Sequence, residues 1–220
     1  MLAYELITDE VPPLKLSDTG KKVLDWMEDL RISHLPVVNK REFLGLVSYD
    51  DVLDLNDAKK TLDHLKVSMI KASVRQEHHI FDVLKVISNY NVSAVAVLDD
   101  DNQYVGVITA NSIIQKVAAM PFVHEPGSIV ILEMNTRDYS LSQISQIVEG
   151  NDAKILSMHI NAHRDSTKIE VTLKINKEEL APILQSFGRY NYTVKATFHQ
   201  NNLNVDLKKR FEEFIHFLNI

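Results

Sequence analysis

The sequence contains no cysteine. Disulfide bonds, thiolate metal sites and cysteine nucleophiles are therefore excluded, and a chain without thiols fits a reducing compartment. The sequence also shows no basic cluster. It contains 24 Lys and Arg against 30 Asp and Glu, and its net charge at pH 7 is -6. Since binding to nucleic-acid phosphates needs a concentrated basic surface, we expect no nucleic-acid partner.

Long apolar runs are absent as well. No stretch approaches the roughly 18 apolar residues that cross a bilayer, and the first residues, MLAYELITDE, lack the basic and apolar regions of a signal peptide. We therefore predict a cytoplasmic protein with no membrane partner. What is present is an ordinary globular composition, with 45% hydrophobic and 25% charged residues over 220 positions, which is enough chain for two domains.

The first half of the chain contains an internal repeat. GLVSYDDVL, from Gly45 to Leu53, returns 61 residues later as GVITANSII. The strand LPVV before it returns after 60 residues as VAVL, so the second copy has gained one residue in the turn DDDNQY. Each copy has the same order of patterns: a helical period, a short apolar strand, a polar turn, a second strand and the start of another helix. Because neither copy buries its apolar faces alone, the two should pack together.

These residues resemble the cystathionine-beta-synthase (CBS) domain, whose tandem copies form a pseudo-symmetric pair. ISHLPVVN followed by FLGLVSYDDVL is similar to the pattern of that family, and VSAVAVLD with YVGVITANSII is a weaker copy. The resemblance places a CBS pair at residues 1–120, with repeats at 1–60 and 61–120. It implies that an adenine nucleotide of the AMP, ADP or ATP type binds in a cleft between the repeats.

The positions that match the family's nucleotide-binding pattern are complete only in the first copy. Ser112 replaces the aspartate of the second copy and Ala96 the proline, so Thr109 marks a weaker second site. A serine and an aspartate three apart at a strand-to-helix corner can converge on one ligand, because a carboxylate accepts hydrogen bonds from two ribose hydroxyls. The alternative is that the aspartate only caps a helix and that the pair holds no ligand. The first nucleotide site is predicted at Ser33, His34, Leu35, Pro36, Ser48 and Asp51.

The second half of the chain follows a different pattern. MPFVHEPGS has two prolines, a glycine and no period, which indicates a linker at 121–127. The segment 128–200 predicts strand, helix, strand, strand, helix, strand, a ferredoxin-like βαββαβ sandwich with one bare polar sheet face. Pro182 lies inside the second of these helices if the helix is capped at Asn176, so the helix starts later or is kinked. The predicted fold class is thus mixed α+β and α/β.

A ferredoxin-like unit behind a CBS pair resembles the ACT domain, a regulatory module that often binds amino acids at subunit interfaces. The combination is similar to the acetoin-utilisation AcuB-type proteins. The Asp-x-Pro-Gly-like turn of the ACT family is replaced here by RDYSLSQ, which has no glycine, so we expect no amino-acid ligand. The segment 201–220 predicts an amphipathic helix that packs on its own chain or at a dimer contact. Its apolar face carries Leu207, Phe211, Phe214 and Leu218.

The sequence has no recognised catalytic signature. Gly-x-Ser-x-Gly, His-Glu-x-x-His, Walker A and Gly-x-Gly-x-x-Gly are all missing. His159 and His163 share one face of a predicted strand but stand about 13 Å apart, too far to share a metal. We predict a regulatory protein rather than an enzyme, without a required cofactor or metal, which senses a nucleotide, forms a homodimer and acts on an unidentified protein target. The alternative is a ligand-free oligomerisation scaffold.

Overall fold

A computed structural model describes residues 1–55, 59–65, 69–162 and 167–199. The chain divides into two compact units, one from Met1 to Ala118 and one that begins at Ala119. The described helices are α1 (Gly20–Leu30), α2 (Tyr49–Leu53), α3 (Ile80–Tyr90), α4 (Ala110–Ala118), α5 (Pro121–His124), α6 (Leu141–Glu149) and α7 (Ala181–Arg189). The described strands are β1 (His34–Asn39), β2 (Glu42–Ser48), β3 (Ser73–Arg75), β4 (Ala94–Leu98), β5 (Tyr104–Thr109), β6 (Ser128–Asn135), β7 (Ile155–Ala162), β8 (Lys168–Ile175) and β9 (Thr193–His199).

The two sequence repeats fold alike within the first unit. In each, an 11-residue helix leads into an antiparallel hairpin, α1 into β1 and β2, and α3 into β4 and β5. Both helices end at a left-handed residue, Arg31 in the first copy and Asn91 in the second, which stops the helix and turns the chain toward the strand. A further helix, α2 or α4, follows each hairpin. The predicted order of elements is therefore present in both copies.

One strand of the second repeat is not visible in the sequence pattern. β3 runs parallel to β4 and pairs Ser73 with Ala96, whereas the matching place in the first repeat holds an isolated parallel bridge. The residues 60 positions before this pair are Pro13 and Pro36. Neither proline has an N–H to donate to a ladder, so the first repeat keeps a two-stranded sheet where the second has three strands.

The repeats pack together by sharing their cores. Ala94 and Val107 of the second repeat belong to the buried cluster of the first, and Leu46 of the first belongs to that of the second. All three are almost completely buried. Burying a leucine side chain contributes about 1.5–3 kcal/mol, so these exchanged residues make each repeat depend on the other.

Each repeat is also covered by residues from near the start of the other repeat. The start of the chain lies on the second repeat, where the N–H of Thr8 donates to the carbonyl of Val107 at 3.0 Å. Residues near the start of the second repeat lie on the first, where Ile70 and Leu46 exchange two backbone hydrogen bonds of 2.8 and 3.0 Å. These approaches explain the repeated glycine: a Cβ on Gly45 would stand 2.5 Å from the Cβ of Met69.

The second unit is a four-stranded antiparallel sheet with two helices on one face. Its strand order is β7-β8-β6-β9, and α6 and α7 contribute Ile144 and Phe187 to a core with the alternate residues of the strands. This is the predicted ferredoxin-like βαββαβ arrangement. α7 begins at Ala181 with Pro182 in its first turn, so the helix starts later than Asn176 and the proline costs no helical hydrogen bond.

Two predictions for this half need comment. The predicted linker at 121–127 contains the short helix α5, because Pro121 fits the first turn of a helix although four residues are too few to show a period. The predicted amphipathic helix at 201–220 and the predicted strand residue His163 lie outside the described residues.

The face of this sheet opposite α6 and α7 carries paired charges. Lys168 contacts Glu133 at 2.7 Å, and Lys195 of β9 reaches across β6 to contact Glu170 of β8. The hydrogen bond from Lys168 holds the pKa of Glu133 below its usual value. Glu133 and Glu170 stand directly opposite each other in the ladder, so the two lysines offset a repulsion between like charges.

Candidate ligand cleft between the repeats

A capping box holds the first strand-to-helix corner. Ser48 is the N-cap residue of α2, and its hydroxyl oxygen accepts the backbone N–H of Asp51 at 3.1 Å. In return Oδ2 of Asp51 accepts the backbone N–H of Ser48 at 3.0 Å and its hydroxyl at 2.5 Å. Ser48 is therefore the cap, and Asp51 supports it from the third helical position.

Ser33 and Ser93, which are equivalent residues of the two repeats, meet where the repeats join. The backbone N–H of Ser33 donates to the hydroxyl oxygen of Ser93 at 3.1 Å, and the backbone N–H of Ser93 donates to Nδ1 of His34 at 3.2 Å. Their carbonyls also act alike, because Ser33 accepts the N–H of Tyr49 at 2.9 Å and Ser93 that of Ala110 at 3.1 Å. Each corner is thus fixed to the strand that begins beside it.

His34 is half-buried, and Nδ1 is the acceptor of its ring. A backbone N–H can only donate, so the neutral imidazole carries its proton on Nε2. Burial lowers the pKa of His34, and this effect outweighs the carboxylates of Asp51 and Asp50, which act in the opposite direction. A neutral His34 therefore links the two repeats, and protonation at Nδ1 would remove that acceptor.

An open cleft of about 640 Å³ lies at this junction and takes its walls from both repeats. Of the six predicted residues, Ser33, His34 and Ser48 line it. Leu35 is completely buried in the core and Pro36 is buried in β1. Asp51 is held against Ser48 by the capping box. The strand ends thus bring the polar part of the predicted set to one place, while its apolar part lies in the core.

The structure adds seven lining residues that were not predicted, and three of them have exposed aromatic or charged side chains. Tyr49 and Tyr90 line the cleft with 43% and 51% of their surface exposed, and Asp50 lines it with an exposed carboxylate. Their counterparts in the other copy are an alanine, a leucine and an asparagine. A difference between the copies, the signal that drew attention to Asp51, would have found them too.

The second corner is built on the same plan but filled by the chain itself. Thr109 is buried, its hydroxyl oxygen accepts the N–H of Ser112 at 3.0 Å, and its own N–H donates to the hydroxyl oxygen of Ser112 at 3.1 Å. That hydroxyl stands 3.1 Å from the carbonyl of Leu6. Leu6 belongs to a short 3-10 turn near the start of the chain and is completely buried.

Among residues 1–55, 59–65, 69–162 and 167–199, no three or more His, Asp or Glu side chains are grouped so that they could hold a metal ion. Within the same residues, no helix combines the length and the apolar character needed to cross a bilayer.

Comparison with known proteins identifies the first unit. The family described as CBS domain matches residues 3–57 and again residues 67–119. The chain carries a tandem pair of CBS domains. The pair predicted from the repeat is thereby confirmed, and the cleft lies at the junction of the two CBS domains. CBS pairs are typically regulatory domains.

Individual relatives are similar over about this half of the chain. An uncharacterised protein from Methanocaldococcus jannaschii is 29% identical over 134 residues, which are 54% of this chain and 44% of that protein. The CBS domain pair/ACT domain protein from Thermotoga maritima has a TM-score of 0.48 and 22% identity, covering 53% of this chain and 96% of that one. A Vibrio cholerae protein described as an acetoin utilization protein (AcuB) has a TM-score of 0.46 and 20% identity, covering 53% and 90%. The chain spans less than half the length of the curated relatives that it matches.

Proposed function

We propose that this protein is a regulatory sensor that binds an adenosine-containing ligand, a class that includes the adenine nucleotides predicted from the sequence, in the cleft between its CBS domains. The observation that supports this most is the composition of the cleft, which joins serine hydroxyls, a neutral histidine and two half-exposed tyrosines from both repeats. Its volume of about 640 Å³ falls in the range of small-molecule sites. Because both repeats form its walls, a ligand bound there stabilises their junction.

Each group in the cleft has a role to offer such a ligand. Tyr49 and Tyr90 supply aromatic faces, and stacking a base on an aromatic side chain contributes about 1–3 kcal/mol. His34 offers its Nε2–H to a ring nitrogen of the base. The carboxylate of Asp51 has about four acceptor positions, so after binding Ser48 it can still accept the ribose hydroxyls.

A thermal-shift panel on the full chain tests this function. The panel contains adenosine, AMP, ADP, ATP, NAD and S-adenosylmethionine, and a ligand at 100 times its Kd stabilises the folded protein by about 2.7 kcal/mol. We expect at least one of these compounds to raise the melting temperature. If none does, the proposed function is wrong.

A matched pair of variants locates the binding. Tyr90→Leu gives the second copy the residue that the first copy has at this position, and we expect it to weaken the response by about tenfold in affinity, since a stacking face is lost. Tyr190→Leu in the second unit changes a tyrosine of similar exposure, 57%, and should leave the affinity unchanged. Equal effects of the two changes would place the ligand elsewhere.

Exposed apolar side chains on the CBS helices favour a second candidate function, a homodimeric scaffold. Phe81 of α3 is 65% exposed. Leu53 of α2 and Ile114 of α4, which occupy equivalent positions in the two repeats, are 50% and 65% exposed. We propose that these helices form a homodimer, with or without a ligand. Light scattering after size-exclusion chromatography should give twice the chain mass of 25.1 kDa, and Phe81→Ser with Ile114→Ser should reduce it. A wild-type monomer would contradict the dimer.

The ferredoxin-like unit fits an ACT-like regulatory module without an amino-acid ligand. Its first strand leads into a 3-10 turn, Thr136–Asp138, and the hydroxyl of Ser140 then accepts the N–H of Gln143 at 3.4 Å to start α6. No glycine in this stretch allows the close backbone approach that such a ligand needs. Isothermal titration of the full chain against the twenty amino acids tests this, and submillimolar binding of any of them would contradict it.

A further inference from the structure

The cleft has the electrostatic character of a site for neutral or positive groups. Asp50 is the one charged side chain among its described lining residues, which include no lysine or arginine. Asp51 adds a second carboxylate close enough to act on His34 beside it. The C-terminal end of α3, which brings Tyr90 to the wall, contributes the negative end of a helix dipole. Arg31 lines an adjoining cleft that shares Ser33, Tyr49 and Ser93 with this one, and Glu28 lines that cleft as well.

Two backbone N–H groups that could hold a phosphate at this corner are in use. The N–H of Tyr49 donates to the carbonyl of Ser33 at 2.9 Å, and the N–H of Asp51 donates to the hydroxyl oxygen of Ser48 at 3.1 Å. α2 has only five residues, so its dipole is too small to attract an anion strongly. With these two N–H groups in use, the corner offers a ligand mainly acceptors and hydroxyls and is a weak site for phosphate.

We propose that the cleft selects adenosine derivatives whose 5′ substituent is neutral or cationic and disfavours those that carry a 5′ phosphate. This proposal rests on the proposed function and names its ligand class. Asp50 sets the preference, because its exposed carboxylate attracts a cation and repels a phosphate dianion. The second copy has Asn111 at the equivalent position, so the charge is a property of the first corner alone.

Three probes that differ only at the 5′ position test the preference. They are 5′-amino-5′-deoxyadenosine, adenosine and AMP, which carry a cationic, a neutral and an anionic group at neutral pH. In isothermal titrations of the full chain we expect affinity to fall in that order, with about a tenfold difference between the amine and AMP at low salt. At about 0.5 M salt the difference should shrink, because screening weakens interactions at an open cleft.

A charge variant with a matched control assigns the preference to its residue. Asp50→Asn keeps the shape of the side chain and should reduce the amine-to-AMP affinity ratio by about threefold or more. Asp101→Asn removes the same charge from the turn at the far end of the β4 and β5 hairpin and should leave the ratio unchanged. AMP binding as tightly as the amine, or a ratio that Asp50→Asn does not alter, overturns this inference and leaves the proposed function standing. If none of the three probes binds, this inference is overturned, and the remaining compounds of the thermal-shift panel then decide the proposed function.

Discussion

The two strand-to-helix corners share a backbone plan and differ in what occupies them. In both, the first N–H of the helix donates to a serine carbonyl, and a hydroxyl residue pairs with the residue three positions later. In the first corner that partner is Asp51, beside an open cleft. In the second it is Ser112, whose hydroxyl reaches the carbonyl of Leu6. Duplication has thus kept the scaffold, while the start of the chain uses the place that a ligand could take.

The strands behind the corners differ in a similar way. Gly45 has φ +141° and lies against the backbone and Cβ of Met69, whereas Gly106 lies against the side chain of Ile7. The first contact involves atoms that cannot move without the chain, and the second involves a half-buried side chain. Glycine is therefore required more strictly at position 45 than at position 106.

The largest expected effect comes from testing this pair of glycines. Gly45→Ala combines a disfavoured backbone conformation with a close contact, so we expect it to lower the free energy of unfolding by about 3 kcal/mol. Gly106→Ala should cost about 1 kcal/mol, because Ile7 can shift. Urea denaturation of both variants measures the difference. Equal losses of unfolding free energy would mean that glycine is equally required at the two positions.

The next effect is on ligand affinity at the first corner. Asp51→Ala removes a charged acceptor worth roughly 1.5–3 kcal/mol, which corresponds to about a 10- to 150-fold loss of affinity for the best compound of the panel. The fold should lose only about 1 kcal/mol, since Ser48 still caps α2. Isothermal titration and urea denaturation of one preparation separate the two effects. Unchanged affinity would contradict the role of Asp51 in binding.

A smaller effect is expected from the link that His34 makes between the copies. Because the folded state holds the pKa of His34 below its ordinary value, protonation favours the unfolded chain. This residue therefore stabilises the protein fully above about pH 6.5 and less as the pH falls from there toward its folded pKa. His34→Gln should lose this dependence, so its urea midpoint should fall less than that of the wild type between about pH 7.5 and 5.5.

The comparison between wild type and His34→Gln is a double difference. All other ionisable groups are present in both proteins, so their contributions cancel. The same fall of the urea midpoint in both proteins would mean that His34 does not sense pH.

The sequence predicted most of the first unit because its repeat fixes the order of elements twice. The sequence did not predict β3, because three residues cannot show a period and the strand is defined by its parallel pairing with β4. In the second unit the alternation of β8 is complete, so strand and core face could both be predicted. The short helix α5 has no such pattern, because four residues are too few to show a period.

The cleft was harder to predict than the fold. Ser33, His34 and Ser48 reach it because they stand at the same end of β1 and β2, which follows from antiparallel pairing. Leu35 and Pro36 belong to a run of four buried residues, where no alternation indicates which side chains would meet a ligand. Tyr49, Tyr90 and Asp50 look like ordinary exposed residues within one copy, and the difference between the copies that would have pointed to them was used only for Asp51.

The smallest expected effect concerns the second corner, which is formed by Thr109 and Ser112. Ser112→Ala should change ligand affinity by less than about threefold, because Ser112 lies outside the first cleft, and it should cost about 1 kcal/mol of stability, since the N–H of Thr109 loses its acceptor. Ser112→Asp then restores the residue of the first copy. We expect it to create no second site, because Leu6 fills the corner whichever side chain stands there. Isothermal titration should still give one ligand per chain. A second bound ligand would mean that the missing aspartate, and not the covering residue Leu6, prevents ligand binding at this corner.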